Sequence, residues 1–195
     1  MKTLVVTAHP DPNSLTVGIA RELRDQLQPN PVDVADLSTE DFDPRFGIAD
    51  RDNYRGGGAV PAEILREQHR IDEADHLVLV FPVYWWSMPA LMKGWIDRVF
   101  INGWAFDIDP VHGTRRNLGA LTVHLLLVAG DDAGTYERHG YEQALLTQIE
   151  HGIVDYCGAQ RGTAVFVYES ERDDTDARRA LVVDAVDRIA RAVRS

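Results

Sequence analysis

Three short stretches of the chain carry side chains suited to ligand binding and redox chemistry. The first, His9-Pro10-Asp11-Pro12-Asn13-Ser14, combines an imidazole, a hydroxyl and turn-forming residues just ahead of a segment with helical periodicity. The free N–H groups and the dipole of a helix N-terminus attract phosphate, to which His9 and Ser14 could add hydrogen bonds. The same residue types also turn and cap ordinary loops, so phosphate binding and simple capping both remain open.

The second stretch, Phe81-Pro82-Val83-Tyr84-Trp85-Trp86-Ser87-Met88-Pro89, places three adjacent aromatic residues between two prolines. Aromatic rings on a loop can stack on a flat, conjugated ligand while backbone amides meet its heteroatoms. The alternative is that the tryptophans pack in the core or in a dimer interface. For Trp95, inside a predicted helix, packing is the favoured interpretation. For Trp85 and Trp86 both interpretations remain open.

The third stretch is Gly130-Asp131-Asp132-Ala133-Gly134-Thr135-Tyr136, and His139 follows it. A tyrosine and a histidine beside a redox ring could stabilise negative charge or relay a proton. Taken alone, however, the stretch is better explained as a solvated acidic turn.

The elements that must position these stretches follow from apolar patterning. Short apolar runs at residues 4–8, 32–37, from 77, 119–129 and 163–168 predict five buried strands. Apolar residues at helical spacing predict five helices, over residues 14–27, 61–74, 89–100, 142–157 and from 174. Residues 38–60 are expected to form a surface loop, and residues 101–117 an irregular stretch.

This alternation predicts an α/β protein, with a five-stranded parallel sheet covered by helices on both faces in a three-layer sandwich. The number of strands and helices suits the flavodoxin-like strand order 2-1-3-4-5 in one domain spanning residues 1–195. Ligands bind such sheets beyond the carboxyl ends of the strands, at the point where the strand order reverses. That point lies between the first and third strands, which precede the first two stretches.

The bulk composition narrows the function classes. A formal net charge of −11 argues against nucleic acid and against anionic membrane surfaces. The single cysteine, Cys157, excludes an internal disulfide, fits a reducing compartment, and lies on an apolar helical stripe typical of a core residue. No signal peptide and no bilayer-spanning segment is recognised, so we expect a cytoplasmic protein with no membrane insertion.

Several motifs are missing from the sequence. There is no G-x-G-x-x-G, no G-x-x-x-x-G-K-[ST] and no G-x-S-x-G, which argues against Rossmann dinucleotide binding, a P-loop and an α/β-hydrolase. No H-E-x-x-H or comparable spacing occurs, so no metal site is predicted.

The longer motifs carry a family resemblance. His9-Pro10 followed by Asn13-Ser14, together with residues 81–100, closely resembles the flavodoxin-like NAD(P)H:quinone oxidoreductases. That family includes mammalian quinone reductases and bacterial ancillary flavoproteins of potassium-efflux systems. The resemblance implies a homodimer with a flavin, FAD or FMN, in each of two interface sites. It also implies NAD(P)H as electron donor, a quinone-type acceptor and a ping-pong cycle of hydride transfer.

The resemblance assigns roles to matching positions. The residues that would hold the flavin phosphate are His9, Asn13, Ser14, Leu15 and Thr16. Those that would flank the isoalloxazine ring are Pro82, Val83, Tyr84, Trp85 and Trp86. Those that would follow the edge of the ring are Gly130, Asp131, Gly134 and Tyr136, and the catalytic pair would be Tyr136 and His139.

Two alternatives accompany this hypothesis. One is a flavin-binding regulatory subunit of a membrane transporter such as a potassium-efflux system, and the other is a flavin-free scaffold of the same fold. The chain also departs from the family at Val128-Ala129-Gly130-Asp131, where many members carry Thr-Thr-Gly-Gly. If Asp131 points inward, it should disfavour an anionic reduced flavin and lower its potential.

Overall fold

Seven strands are present in the computed structural model, which describes residues 1–195. They are β1 (Thr3–Thr7), β2 (Val32–Asp36), β3 (His76–Pro82), β4 (Phe106–Asp109), β5 (Gly113–Arg116), β6 (Thr122–Val128) and β7 (Gln160–Val167). Five of them form one sheet in the order β2-β1-β3-β6-β7, and every neighbouring pair is parallel. Strands β4 and β5 form a separate antiparallel hairpin. Counting only the sheet strands, the predicted order 2-1-3-4-5 is confirmed.

Helices cover both faces of this sheet. They are α1 (Leu15–Leu27), α2 (Ile48–Tyr54), α3 (Ala62–Asp72), α4 (Ala90–Val99), α5 (Ala133–His139), α6 (Tyr141–Leu146), α7 (Asp155–Cys157) and α8 (Thr175–Arg194), with a π-helical segment (Thr147–Val154) joining α6 to α7. Alternate strand residues enter two separate cores. One core lies beneath α1 and α8, and the other lies beneath α3, α4 and the π-helical segment.

The strand register brings three connections together. Thr7 of β1 lies opposite Val80 of β3, and Pro82 of β3 lies opposite Val128 of β6. The parallel strands β1, β3 and β6 therefore end at the same edge of the sheet, and the three stretches singled out in the sequence follow them directly. We call this edge, with its three connections, the carboxyl edge. No helix of the protein combines the length and the apolar character needed to cross a membrane.

The prediction of a surface loop over residues 38–60 is wrong in part, because α2 forms there. The backbone amide of Gly47 donates to Asp50 Oδ2 at 2.7 Å and caps this helix. The buried guanidinium of Arg98 contacts Asp50 at 3.1 Å and donates to the carbonyl of Asp43 at 2.8 Å. An ion pair, rather than an apolar stripe, fixes α2, so periodicity does not reveal it.

Three further expectations need correction. Residues 101–117 are not wholly irregular, because they contain the β4–β5 hairpin. Tyr136 and His139 lie on α5 rather than on a loop, since Asp132 caps that helix by accepting from the amide of Thr135 at 2.9 Å. The helix predicted over residues 142–157 is interrupted by the π-helical segment. The chain therefore has more helices than the five predicted.

Candidate active site

The connection after β1 presents an anion-binding helix end. Ser14 caps α1, and its Oγ accepts from the amide of Val17 at 3.3 Å. The amides of Leu15 and Thr16 have no partner in the protein, and the first turn of α1 carries no acidic residue. A phosphate placed there would meet free N–H groups and the positive end of the helix dipole.

The polar side chains ahead of α1 are turned toward their own loop. The amide of Asp11 donates to Nδ1 of His9 at 3.0 Å, which leaves the imidazole proton of neutral His9 on Nε2. The Asp11 carboxylate accepts from the amide of Asn13 at 2.8 Å. His9 therefore offers an N–H donor, while the negative charge of Asp11 is held by the loop.

The connection after β3 is a tight turn with unusual backbone geometry. Tyr84 and Ser87 exchange two backbone hydrogen bonds of 3.0 Å, and between them Trp85 and Trp86 have φ angles of 47° and 60°. Two consecutive left-handed residues define the two-residue hairpin turn that normally carries Asn-Gly. Bulky residues in this conformation are strained, and such strain is typical of functional sites.

The two tryptophans of this turn have different surroundings. Trp85 is 93% exposed, so it packs on nothing within the chain. Trp86 stacks on Tyr141, with ring centroids 3.8 Å apart and planes 14° apart. The backbone amides of both tryptophans are unpaired. Trp95, by contrast, is fully buried and donates to Glu67 at 2.9 Å, which confirms its predicted packing role.

The connection after β6 exposes Gly130, Asp131 and Asp132, beyond the buried Val128 and Ala129. The amides of Gly130 and Asp131 are unpaired. Asp131 Oδ1 accepts from the amide of Asp132 at 2.8 Å, so this exposed carboxylate is bound to its own loop. At Gly134, a Cβ atom would lie 2.9 Å from Asp132 Oδ1, so glycine leaves room for the cap of α5.

Tyr136 lies at the centre of an aromatic cluster. Only 2% of it is exposed, and its ring meets those of four neighbours edge-on, namely Trp86, Tyr141, Phe166 and Tyr168. Burial, together with the nearby charge of Asp131, raises the pKa of Tyr136 to about 12. The hydroxyl therefore stays protonated at neutral pH and can act as a hydrogen-bond or proton donor.

The second predicted catalytic residue, His139, has a different position. It is exposed at the end of α5, and its ring stacks on Tyr141 with centroids 5.2 Å apart. No hydrogen bond or ring contact joins His139 to Tyr136.

Two residues near Tyr136 were missed by the sequence reasoning. The hydroxyl of Tyr168 donates to Glu142 Oε2 at 2.6 Å, while the Tyr168 ring meets that of Tyr136. Burial raises the pKa of Tyr168, and the bond to Glu142 adds to the effect. The sequence signal was that Tyr168 ends the fifth predicted strand, and so falls at the carboxyl edge.

Taken together, the carboxyl edge offers unpaired amides on three adjacent connections. One pair lies at the start of α1, one at the tryptophan turn and one at Gly130 and Asp131. This arrangement fits a ligand with a phosphate at one end and a planar heteroaromatic ring at the other. No group of three or more His, Cys, Asp or Glu side chains converges to hold a metal ion.

Comparisons with known proteins identify the family and the fold of the chain. A family model described as a flavodoxin-like fold matches residues 1–190. The chain is 32% identical over 179 residues to the ribosyldihydronicotinamide dehydrogenase (quinone) of Mus musculus, covering 80% of this chain and 77% of the mouse protein. It is 27% identical over 188 residues to an uncharacterized NAD(P)H oxidoreductase of Haemophilus influenzae, covering 93% and 91% of the two chains.

Solved structures show the same architecture. The NAD(P)H:quinone oxidoreductase of Methanothermobacter marburgensis superposes with a TM-score of 0.87 at 22% identity, covering 100% of this chain and 98% of the other. At that identity the likeness establishes a common fold.

Proposed function

We propose that this member of the flavodoxin-like NAD(P)H:quinone oxidoreductase family is a flavin-dependent dehydrogenase. Its acceptors would be quinones or related electrophiles. The observation that carries the proposal is the row of unpaired amides along the carboxyl edge, beside the strained turn of Trp85 and Trp86. A bound flavin supplies two-electron hydride transfer from NAD(P)H to the acceptor, in a ping-pong cycle.

Different residues of the chain would bind the phosphate and the ring system of the flavin. The amides of Leu15 and Thr16, with His9, would bind the phosphate. The amides of Trp85 and Trp86 would meet one edge of the ring system, and those of Gly130 and Asp131 another. The exposed Trp85 indole would cover a stacked donor or acceptor and exclude water from it.

Tyr136 would act on the acceptor. Reduction of a quinone by a hydride leaves a negative charge on one oxygen, and that oxygen needs a proton. The Tyr136 hydroxyl, whose pKa burial raises to about 12, is protonated at neutral pH, so its O–H group can donate to this oxygen.

A groove between α1 and α8 supports FAD over FMN. The groove has a volume of about 260 Å³, begins at Leu15 beside the proposed phosphate position, and runs over Gly18 to Arg178. An added Cβ at Gly18 would meet nothing within 4 Å, so the floor of the groove is open. Arg178 lines the groove, and its guanidinium, which donates to the carbonyl of Arg172, would supply a positive charge for a second phosphate. The groove therefore suits an adenylate extension.

An exposed apolar face supports a homodimer. A cavity of about 440 Å³ lies between α2, α4 and the π-helical segment, and Phe46, Tyr54 and Tyr156 contribute to its lining. These three aromatic residues are partly exposed, and the neighbouring Ile48 is 77% exposed. Clustered large apolar side chains at a surface mark interaction sites. A second copy of the chain is the proposed partner, and Ile48→Asp should shift sedimentation from dimer to monomer.

The decisive experiment is a visible spectrum of the purified protein, followed by reconstitution with FMN and with FAD. Donor oxidation is then measured with NADH, NADPH and ribosyldihydronicotinamide, in the presence of a quinone. We expect a yellow protein, tighter binding of FAD than of FMN, and quinone-dependent donor oxidation. A colourless protein that takes up neither flavin would refute the proposal.

A further inference from the structure

We propose that Glu142 and Tyr168 are positioning residues for Tyr136. The inference rests on the proposed function, because Tyr136 must first act on an acceptor. It follows from the contacts around Tyr136 rather than from any sequence motif.

The hydroxyl of Tyr136 is positioned only through its ring. No hydrogen bond within the protein holds this hydroxyl, so packing by the neighbouring rings sets its direction. A misplacement of about 1 Å in a reacting group can lower a rate by about 100-fold. The rings that surround Tyr136 therefore control its chemistry.

Among those rings, only Tyr168 has a polar anchor. Its hydroxyl donates to the Glu142 carboxylate at 2.6 Å, a short, charge-assisted bond. One face of the Tyr168 ring lies parallel to Phe166, with planes 9° apart and centroids 5.4 Å apart, and its ring meets that of Tyr136 at 5.1 Å. Glu142 is in the first turn of α6, where the helix dipole stabilises a carboxylate. The bond thus ties the end of β7 to α6 across Tyr136.

A cleft reaches Tyr136 from solvent on this side. It has a volume of about 440 Å³, and its lining includes Tyr136, Glu137, Glu142 and Tyr168. In the proposed step the O–H bond of Tyr136 breaks as its proton moves to the negative acceptor oxygen. The resulting phenolate takes a proton from water in the cleft, which restores the hydroxyl and releases hydroxide to the solvent. Glu142 takes no part in this proton transfer and serves as the hydrogen-bond acceptor for Tyr168.

The test compares Glu142→Ala, Glu142→Gln and Tyr168→Phe, with Glu137→Gln as the matched control. Glu137 lines the same cleft but makes no hydrogen bond to Tyr168. In stopped-flow experiments we expect Glu142→Ala and Tyr168→Phe to slow acceptor reduction about tenfold. The rate of flavin reduction by the donor and the affinity for flavin should be unchanged. Glu142→Gln keeps an acceptor oxygen and should restore most of the rate.

Two further measurements separate positioning from general destabilisation. In a Tyr136→Phe background, Glu142→Ala should have no additional effect on acceptor reduction, because the two residues act as one unit. In the apoprotein, the aromatic NMR resonances of Tyr136 should report faster ring flipping in Glu142→Ala and Tyr168→Phe, and no change in Glu137→Gln.

The outcomes are distinguishable. A wild-type protein that binds no flavin overturns the proposed function, and this inference with it. Wild-type turnover combined with unaltered acceptor reduction in Glu142→Ala overturns the inference alone. The inference also fails, with the proposed function intact, if Glu142→Ala slows both half-reactions equally, or if its effect persists in the Tyr136→Phe background.

Discussion

His124 should make the stability of this protein fall steeply in mild acid. The residue is in β6, where the register against β7 is irregular between Val123 and Leu125, and it is only 1% exposed. The amide of Thr163 donates to His124 Nδ1 at 3.0 Å, so the proton of the neutral ring is on Nε2, which lies 3.1 Å from Nδ1 of His76. A second proton on His124 would face the Thr163 N–H group directly.

The size of this loss of stability follows from the pKa of His124. Burial, with a smaller contribution from His76, lowers this pKa from 6.5 to about 4. Between these pH values the unfolded chain binds a proton that the folded protein excludes, so stability rises with pH and is lost on acidification. At about 1.4 kcal/mol per pKa unit, the loss between pH 7 and pH 4 is about 3 kcal/mol. That is a large share of the roughly 5–15 kcal/mol typical of a folded domain.

The assay is urea denaturation followed by far-UV circular dichroism at pH 7.0, 5.5 and 4.5. The comparison variant is His124→Asn, since its side-chain oxygen can accept from Thr163 but does not titrate. We expect the variant to be less stable than wild type at pH 7.0, with the difference shrinking by about 3 kcal/mol toward pH 4. Burial also lowers the pKa of His76, so His76→Gln should remove a further part of the pH dependence. Parallel stability profiles for wild type and His124→Asn would refute the reasoning.

Three other predictions follow from single contacts. Arg98→Leu leaves the buried Asp50 carboxylate without its ion-pair partner, so the free energy of unfolding should fall by about 3–5 kcal/mol in urea titrations. The control variant Asp97→Asn, on the same helix, should change the free energy of unfolding little. Gly94→Ala places a Cβ atom 2.7 Å from Pro44 Cα, so the same urea titrations should show a loss of at least about 2 kcal/mol of stability. Trp85→Ala should weaken flavin or acceptor binding, as measured by fluorescence and kinetics. The melting temperature should stay within a few degrees, because the indole is 93% exposed. Unaltered binding and kinetics would show that the turn has been misinterpreted.

The sheet could be predicted from the sequence because its three central strands, β1, β3 and β6, are buried on both faces. Strands β3 and β6 are apolar almost throughout, so their pattern depends on no distant partner. The same pattern places the connections after β1, β3 and β6 at one edge. What periodicity could not show was α2, since it depends on the ion pair between Asp50 and Arg98, 48 residues apart.

The contacts within the candidate site were harder to predict for a similar reason. The bond between Tyr168 and Glu142 joins residues 26 positions apart, and the stack of Trp86 on Tyr141 also crosses between connections. Neither partner is unusual in its own segment. The motif resemblance named Tyr136 and His139 together, but the seven-residue helix α5 turns His139 toward Tyr141 instead. Side-chain partners at an edge formed by several loops depend on the exact loop path, which a local pattern does not encode.

The tryptophan turn is the feature that packing explains least. Two left-handed, non-glycine residues cost of order 1–3 kcal/mol each, and Asn-Gly would form the same turn at lower cost. The surrounding structure holds the turn through the bond from Val83 to Val128 at 2.8 Å and the stack of Trp86 on Tyr141. These contacts account for the position of Trp86 but not for that of Trp85, which is 93% exposed. A strained backbone that presents a large aromatic ring to solvent, beside unpaired amides, is explained if a ligand covers that ring. The same turn therefore links the backbone geometry of the chain to its proposed chemistry.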